Sequence, residues 1–184
     1  MKRLNLGCGT DIKEGCINVD KVQLDGVDVV WDLDKYPYPF KDNSIDRVFA
    51  FHILEHVKDY EKTMEELNRI MKVGGGLYIR VPHFSAPIAN SEFHRRFFCF
   101  TNSFTHERLL KNATDGSLID YFGFKLKYKK LRFEKGIMFW NYLVEPLVGL
   151  ITPQVYEATF LKSLFPAREI YAMLVKVKWM IQKK

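Results

Sequence analysis

Lys2-Arg3-Leu4-Asn5-Leu6-Gly7-Cys8-Gly9 is the stretch whose reading decides the fold. Residues 2–6 make a short strand that runs into a G-x-G turn. Neither glycine carries a Cβ, so the turn lets backbone approach a ligand closely. Alone, such a turn is a weak signal; its weight comes from the ends of the strands that follow. Residues 16–19 are a second apolar run, and Asp20 and Lys21 come directly after it. Residues 27–31 are a third, followed by Asp32 and Leu33. Residues 45–51 are a fourth, dense rather than alternating, as expected of a parallel strand covered on both faces, and His52 follows Phe51. Ligands of open α/β sheets bind in the crevice outside the carboxyl ends of the strands. That rule gathers Gly7, Gly9, Asp20, Asp32, Phe51 and His52 at one site.

The spacing of Tyr60, Met64, Leu67 and Met71 predicts an amphipathic helix over 60–71, capped by Asp59 and stopped by Gly74-Gly75-Gly76. Residues 77–81 make the fifth strand. Strand, turn, strand, strand, helix, strand is an α/β pattern with a mostly parallel sheet. Tyr36-Pro37-Tyr38-Pro39 excludes regular structure, because its prolines lack donors and restrict their neighbours. The segment 83–104 has no clean period and is rich in Phe, which suits a lid or acceptor-binding loop. A helix is expected over 105–113. In 124–135, Phe124, Leu126 and Tyr128 share one face and Lys125, Lys127 and Lys129 the other. Leu131 and Phe133 then fall out of phase, which predicts a bulge near Lys129-Lys130. Residues 137–164 predict two apolar helices split near Pro153, and 168–179 a final strand.

A chain of 184 residues with 47% apolar content buries one core, so 1–184 is expected to be a single domain. Its three cysteines, Cys8, Cys16 and Cys99, form no C-x-x-C pair, which argues against a disulfide framework and for a reducing, cytoplasmic setting. No signal-peptide pattern is visible. The most apolar stretch, 137–152, is interrupted by Asn141, Glu145 and Pro146, so no membrane span is expected. The net charge of +6 is uneven: 14 basic and 15 acidic side chains in 1–100, against 14 and 7 in 101–184. A basic second half suits nucleic acid, an anionic surface or an acidic substrate, yet lysines on exposed strand faces explain it equally. No RNA-binding module is recognisable, so nucleic acid is not the favoured partner.

A nicotinamide enzyme would carry G-x-G-x-x-G, with its acidic residue about 20 positions further on. Here the third glycine position holds Ile12, and Asp20 comes too soon. A nucleoside without phosphates fits better, its ribose hydroxyls on Asp20. At this point the chain resembles a family. Leu4-Asn5-Leu6-Gly7-Cys8-Gly9 is similar to the first motif of class I S-adenosylmethionine-dependent methyltransferases. Phe40-Lys41-Asp42-Asn43-Ser44-Ile45-Asp46-Arg47-Val48 is similar to their approach to the fourth strand. His52-Ile53-Leu54-Glu55-His56 and Leu67-Asn68-Arg69-Ile70-Met71-Lys72-Val73-Gly74-Gly75 extend the likeness to the type 11 group. The resemblance implies a Rossmann-like three-layer α/β sandwich. Its sheet would be mostly parallel and seven-stranded, with an antiparallel last strand and a helical insertion (137–165) between the last two strands. It implies S-adenosylmethionine as cofactor, held by Asn5, Gly7, Cys8, Gly9, Asp20, Lys21, Asp32, Leu33, Phe51 and His52. One departure stands out: the first crossover, 10–15, is too short for the family's usual helix.

For a hydroxyl acceptor, methyl transfer wants a base of near-neutral pKa, which makes His52, His83 and His94 candidates, with His83 best placed by topology. His56, His83, Arg95 and Arg96 are candidates for holding the acceptor, the arginines suiting an anionic group. His52-Ile53-Leu54-Glu55-His56 also matches H-x-x-E-H, a zinc-site spacing, but it follows a strand already explained by the cofactor loop. The sequence reading therefore assigns no metal. The expected acceptor is a small molecule, a glycan or a lipid-linked group. An RNA methyltransferase and a non-catalytic S-adenosylmethionine-binding module are the alternatives. The insertion is expected to cover the acceptor or form a homodimer face, ahead of peripheral membrane contact.

Overall fold

The computed structural model describes residues 1–104, 122–133 and 140–178. The helix expected over 105–113 lies outside them, as do residues 134–139, where the sixth strand was to end and the insertion to begin, and 179–184.

Seven strands form one sheet: β1 (Arg3–Leu6), β2 (Ile17–Asp20), β3 (Val29–Val30), β4 (Ile45–Phe51), β5 (Met71–Pro82), β6 (Phe124–Phe133) and β7 (Ala167–Lys176), in the order β3-β2-β1-β4-β5-β7-β6. All neighbours from β3 to β5 are parallel, and β7 runs antiparallel to both β5 and β6. The chain builds outward from β1 to β3, then returns to β4 on the other side of β1. That reversal is a topological switch point, where open sheets bind ligands. It lies between Gly7 at the end of β1 and His52 at the end of β4.

Between β1 and β2 the described residues contain no helix. Side chains replace it. Asn5 Nδ2 donates to Asn18 Oδ1 (3.0 Å) and to the Asp11 carbonyl (2.7 Å), and the Lys13 amide donates to the same Asn18 oxygen (2.9 Å). The Asn18 amide donates to Asp28 Oδ2 (2.7 Å), tying the next connection to the first. Backbone groups of a short crossover still need partners, and two buried asparagines supply them. Asn5, 2% exposed, therefore braces the loop from beneath.

α1 (Tyr60–Ile70) starts on Asp59, whose Oδ1 accepts the Lys62 amide (3.0 Å), and buries Tyr60, Thr63, Met64, Leu67 and Ile70 against the sheet. It ends one residue earlier than the spacing predicts. Met71 is already extended and pairs with Ile45, so β5 begins there, well before Leu77. Gly74-Gly75-Gly76 does not stop the helix; it forms the β5 irregularity between the Met71 and Gly76 pairings. A Cβ on Gly75 would lie 2.8 Å from the Lys72 carbonyl oxygen, which explains a glycine there.

The β6 bulge falls at Lys127, between Leu126 and Tyr128, two residues before the expected place. The slip turns Tyr128 outward (51% exposed) and lays half-buried Lys129 across the Phe100 ring, 4.6 Å from its centroid. The described residues of the insertion form three helices where the sequence predicts two: α2 (Asn141–Leu150), α3 (Pro153–Ala158) and α4 (Leu161–Leu164). α2 packs on β6 through Val144 and Val148 and exposes Tyr142, Leu143, Leu147 and Leu150. No described helix is long and apolar enough to cross a membrane.

Candidate active site

The glycine loop is built by steric demand. Gly7 sits at φ +60°, and a Cβ there would come within 2.5 Å of the Ile53 side chain. Gly9 sits at φ +49° with nothing within 4 Å of where a Cβ would stand, an open cradle at the end of β1. Cys8 between them is buried, its amide on the Val19 carbonyl (3.1 Å); burial first, and then Asp20, push its thiol pKa up. Asp20 Oδ2 accepts the Gly9 amide (2.8 Å) and Oδ1 accepts the Val22 amide (3.0 Å). Each oxygen keeps a lone pair for a further donor. Lys21 is exposed beside it. Asp32 Oδ1 accepts the Asp34 amide (3.0 Å), while Leu33 is buried and its carbonyl accepts the Tyr38 hydroxyl (3.0 Å). The Phe51 ring carries two cation contacts, Lys13 Nζ at 5.1 Å and the Arg80 guanidinium at 4.7 Å from its centroid.

His52 takes φ +53°, a left-handed conformation that non-glycine residues adopt at a cost. Its amide donates to the Arg80 carbonyl (2.9 Å), and Nε2 lies 3.0 Å from Glu169 Oε2. The Glu169 contact, and then Glu55, raise its pKa to about 9 against the opposing pull of burial. The imidazole is thus held as a cation at neutral pH, which suits a hydrogen-bond donor rather than a resting general base. Burial pushes Glu169 up, but His52, Arg80 and Arg132 outweigh it and leave its carboxyl below the usual range.

His83, the base favoured by topology, is fully buried. Its Nδ1 lies 2.8 Å from Ser85 Oγ and its Nε2 2.8 Å from Glu157 Oε1. Both ring nitrogens are occupied, so His83 anchors the start of the 83–104 segment and presents no face to a ligand. His56 and His94, by contrast, come together edge to face, ring centroids 4.8 Å apart. The Arg95 amide donates to the Glu55 carbonyl (2.7 Å), stitching this part of the segment to the turn after β4. Arg95 and Arg96 are exposed, and the Arg96 guanidinium stacks 4.5 Å from the Tyr60 ring centroid. The same segment forms a shallow, open apolar pocket of about 510 Å³, lined by Phe84, Asn90, Phe97, Phe98 and Cys99. A second, of about 350 Å³, lies at the amino ends of the strands near Met1 and Lys72, away from the glycine loop.

Asp20 lies beside the glycine loop, and His52, Glu55 and His56 lie in the turn after β4, to which the Arg95 amide ties the segment that carries His94. The sequence did not single out Glu55, Arg80 or Glu169. Glu55 was legible in H-x-x-E-H. Glu169 reaches His52 from β7, 117 positions away, and no local pattern announces such a contact.

The family model described as a methyltransferase domain matches residues 4–79. No curated protein matches the chain. Among solved structures, a SAM-dependent methyltransferase from Archaeoglobus fulgidus is 20% identical, with a TM-score of 0.58 over 95% of this chain and 86% of that one. An S-adenosylmethionine-dependent methyltransferase from Mesorhizobium loti is 14% identical, with a TM-score of 0.53 over 95% and 90%. The [4+2]-cyclase SpnF is 15% identical, with a TM-score of 0.56 over 97% and 76%. At such identities the structures establish the fold, and the cyclase among them is a reminder that one fold hosts several chemistries.

Proposed function

We propose that this chain is a class I S-adenosylmethionine-dependent methyltransferase that methylates a small-molecule, glycan or lipid-linked acceptor held by the 83–104 segment, a reading supported by its matched residues 4–79 and its sheet order. The observation that carries the reading is the open cradle at Gly9 with Asp20 beside it, at the switch point of the sheet.

The residues present suit the cofactor. Gly7 and Gly9 leave room for its methionine part, the free lone pairs of Asp20 suit the ribose hydroxyls, and Asp32 and Leu33 flank the adenine side. Phe51 and His52 close the pocket over β4. When bound, S-adenosylmethionine supplies a methyl group whose bond to sulfur breaks as the bond to the acceptor heteroatom forms; the sulfide keeps the electron pair and the acceptor's proton leaves. The chain's contribution is alignment and exclusion of water, the largest part of the acceleration in such a displacement. Exposed Arg95 and Arg96 suit an anionic portion of the acceptor. The insertion supports the acceptor side, because Glu157 of α3 binds His83 and the Thr101 amide (2.9 Å) and so braces the 83–104 segment from behind.

Calorimetric titration with S-adenosylmethionine tests the reading. Wild type should bind in the micromolar range, and Asp20→Ala should weaken binding by at least about tenfold, the loss of one to two hydrogen bonds to a charged acceptor. No binding at millimolar cofactor, or equal affinity in a folded Asp20→Ala variant, overturns it.

A further inference from the structure

Glu55 is 1% exposed, and neither of its carboxylate oxygens has a hydrogen bond. His52 Nδ1 lies 3.5 Å from Oε1, an ion pair without a hydrogen bond, while Nε2 of the same ring serves Glu169, so Oε2 is left with no partner among the described residues. A buried carboxylate that accepts no hydrogen bond is expensive even beside one cation, and such a group in a folded protein calls for a ligand that completes it. One oxygen of Glu55 and one ring nitrogen each of His56 and His94 all lie within 4.8 Å of one another.

The two imidazoles are prepared in the same way. His56 Nδ1 lies 3.1 Å from the Phe93 carbonyl oxygen, and His94 Nδ1 3.3 Å from the Ala89 carbonyl oxygen. A carbonyl only accepts, so each Nδ1 carries the proton and each Nε2 is left with its lone pair. Ligating histidines are held in this manner, the second nitrogen donating to a backbone carbonyl that fixes tautomer and ring orientation. The Arg95 amide on the Glu55 carbonyl sets the segment carrying His94 against the turn carrying Glu55 and His56.

We propose that Glu55, His56 and His94 bind a divalent transition-metal ion of the zinc type. Two imidazoles and one carboxylate favour zinc or cobalt over magnesium, which prefers oxygen ligands and keeps its waters. A tetrahedral ion with bonds of about 2.1 Å spaces its ligand atoms about 3.4 Å apart, so small side-chain rotations close the site. Three protein ligands leave a coordination position for water or for an acceptor oxygen, the arrangement of catalytic rather than structural zinc. Resting on the methyltransferase reading above, this names the acceptor class: a molecule that presents a metal-binding oxygen, such as a hydroxyl, beside the 83–104 segment, its proton made easier to lose on the ion.

The test is a titration of metal-stripped full-length protein with Co²⁺, whose visible bands report tetrahedral nitrogen and oxygen ligation. Wild type should bind one ion per chain, and Zn²⁺ should displace it. Glu55→Gln and His94→Ala should each weaken Co²⁺ binding by about 100-fold or more, beyond what loss of a supporting contact costs. His94 lies on a surface segment, so its variant tests the site without a core substitution; Glu55→Gln should keep or raise the melting temperature while losing its rise on adding metal. Absence of Co²⁺ bands in the wild type, or equal affinity in folded His94→Ala, overturns the proposal. Calorimetry with S-adenosylmethionine on the wild type separates the two readings: an ion bound without the cofactor sustains the metal site and removes the methyltransferase role.

Discussion

At the scale of single residues, conformation rather than chemistry decides what the first loop tolerates. Gly7 combines a left-handed φ of +60° with an Ile53 side chain 2.5 Å from where its Cβ would be. Gly7→Ala should therefore cost about 1 kcal/mol for the backbone and more for the contact. The two costs are separable. Ile53→Ala removes the two nearest atoms and leaves its Cβ at 2.9 Å, so it relieves part of the contact but not the strained φ, and the double variant should be more stable than the sum of the single losses predicts. Urea midpoints of the four proteins measure this. Strict additivity would show that the close approach carries no energy. Gly9, with open space around it, carries only the backbone cost, and its larger effect should be on cofactor affinity.

At the scale of elements, what the sequence disclosed depended on how local the cause was. The α1 periodicity and the alternation of β6 come from neighbours three, four or two positions apart, and both elements are where the pattern put them. Their ends and irregularities come from partners far along the chain. Met71 is drawn from helix to strand by pairing with Ile45, and the β6 bulge is placed by register against β7. His83 shows the same dependence: topology puts it at the end of a strand, and Glu157 from α3 holds it buried there. Burial pushes the Glu157 carboxyl up, but His83, the Thr101 hydroxyl and the amides of Phe100 and Thr101 outweigh that and hold its pKa to about 2. A carboxyl held below its ordinary value of 4.5 stabilises the fold above that pH and loses the contribution as pH falls towards about 2. Glu157→Gln should lower stability at pH 6 by about 1–3 kcal/mol, and the gap to wild type should narrow as the pH is lowered to 3. Hydrogen exchange at the Phe100 and Thr101 amides should quicken in the variant. A gap that is unchanged with pH would mean that the charge does not brace the segment.

At the scale of the whole molecule, the two halves of the chain meet on one sheet, and the basic excess of the second half is not wholly a surface property. Lys176, near the end of β7, is 8% exposed. Its Nζ donates to the Asn68 carbonyl (2.7 Å), the Met71 carbonyl (2.8 Å) and Asn43 Oδ1 (2.8 Å). The ammonium has three protons, and all three are used. Two of the acceptors belong to the last turn and C-cap of α1, where helix carbonyls lack intrahelical partners and a cation is favourable. Burial draws its pKa below the ordinary lysine value, the sign of a charge accommodated at a cost and retained for its bonds. The candidate site is assembled across the same junction, since His52 from the first half meets Glu169 from the second. Lys176→Met keeps the length and apolar stem but leaves the three acceptors unpaired. It should cost about 2–4 kcal/mol, the penalty for several buried polar groups without partners, and lower the denaturant midpoint with little change in slope, because the surface exposed on unfolding stays the same. A variant as stable as wild type would mean that water replaces the ammonium at no cost, and that the helix end does not depend on the last strand.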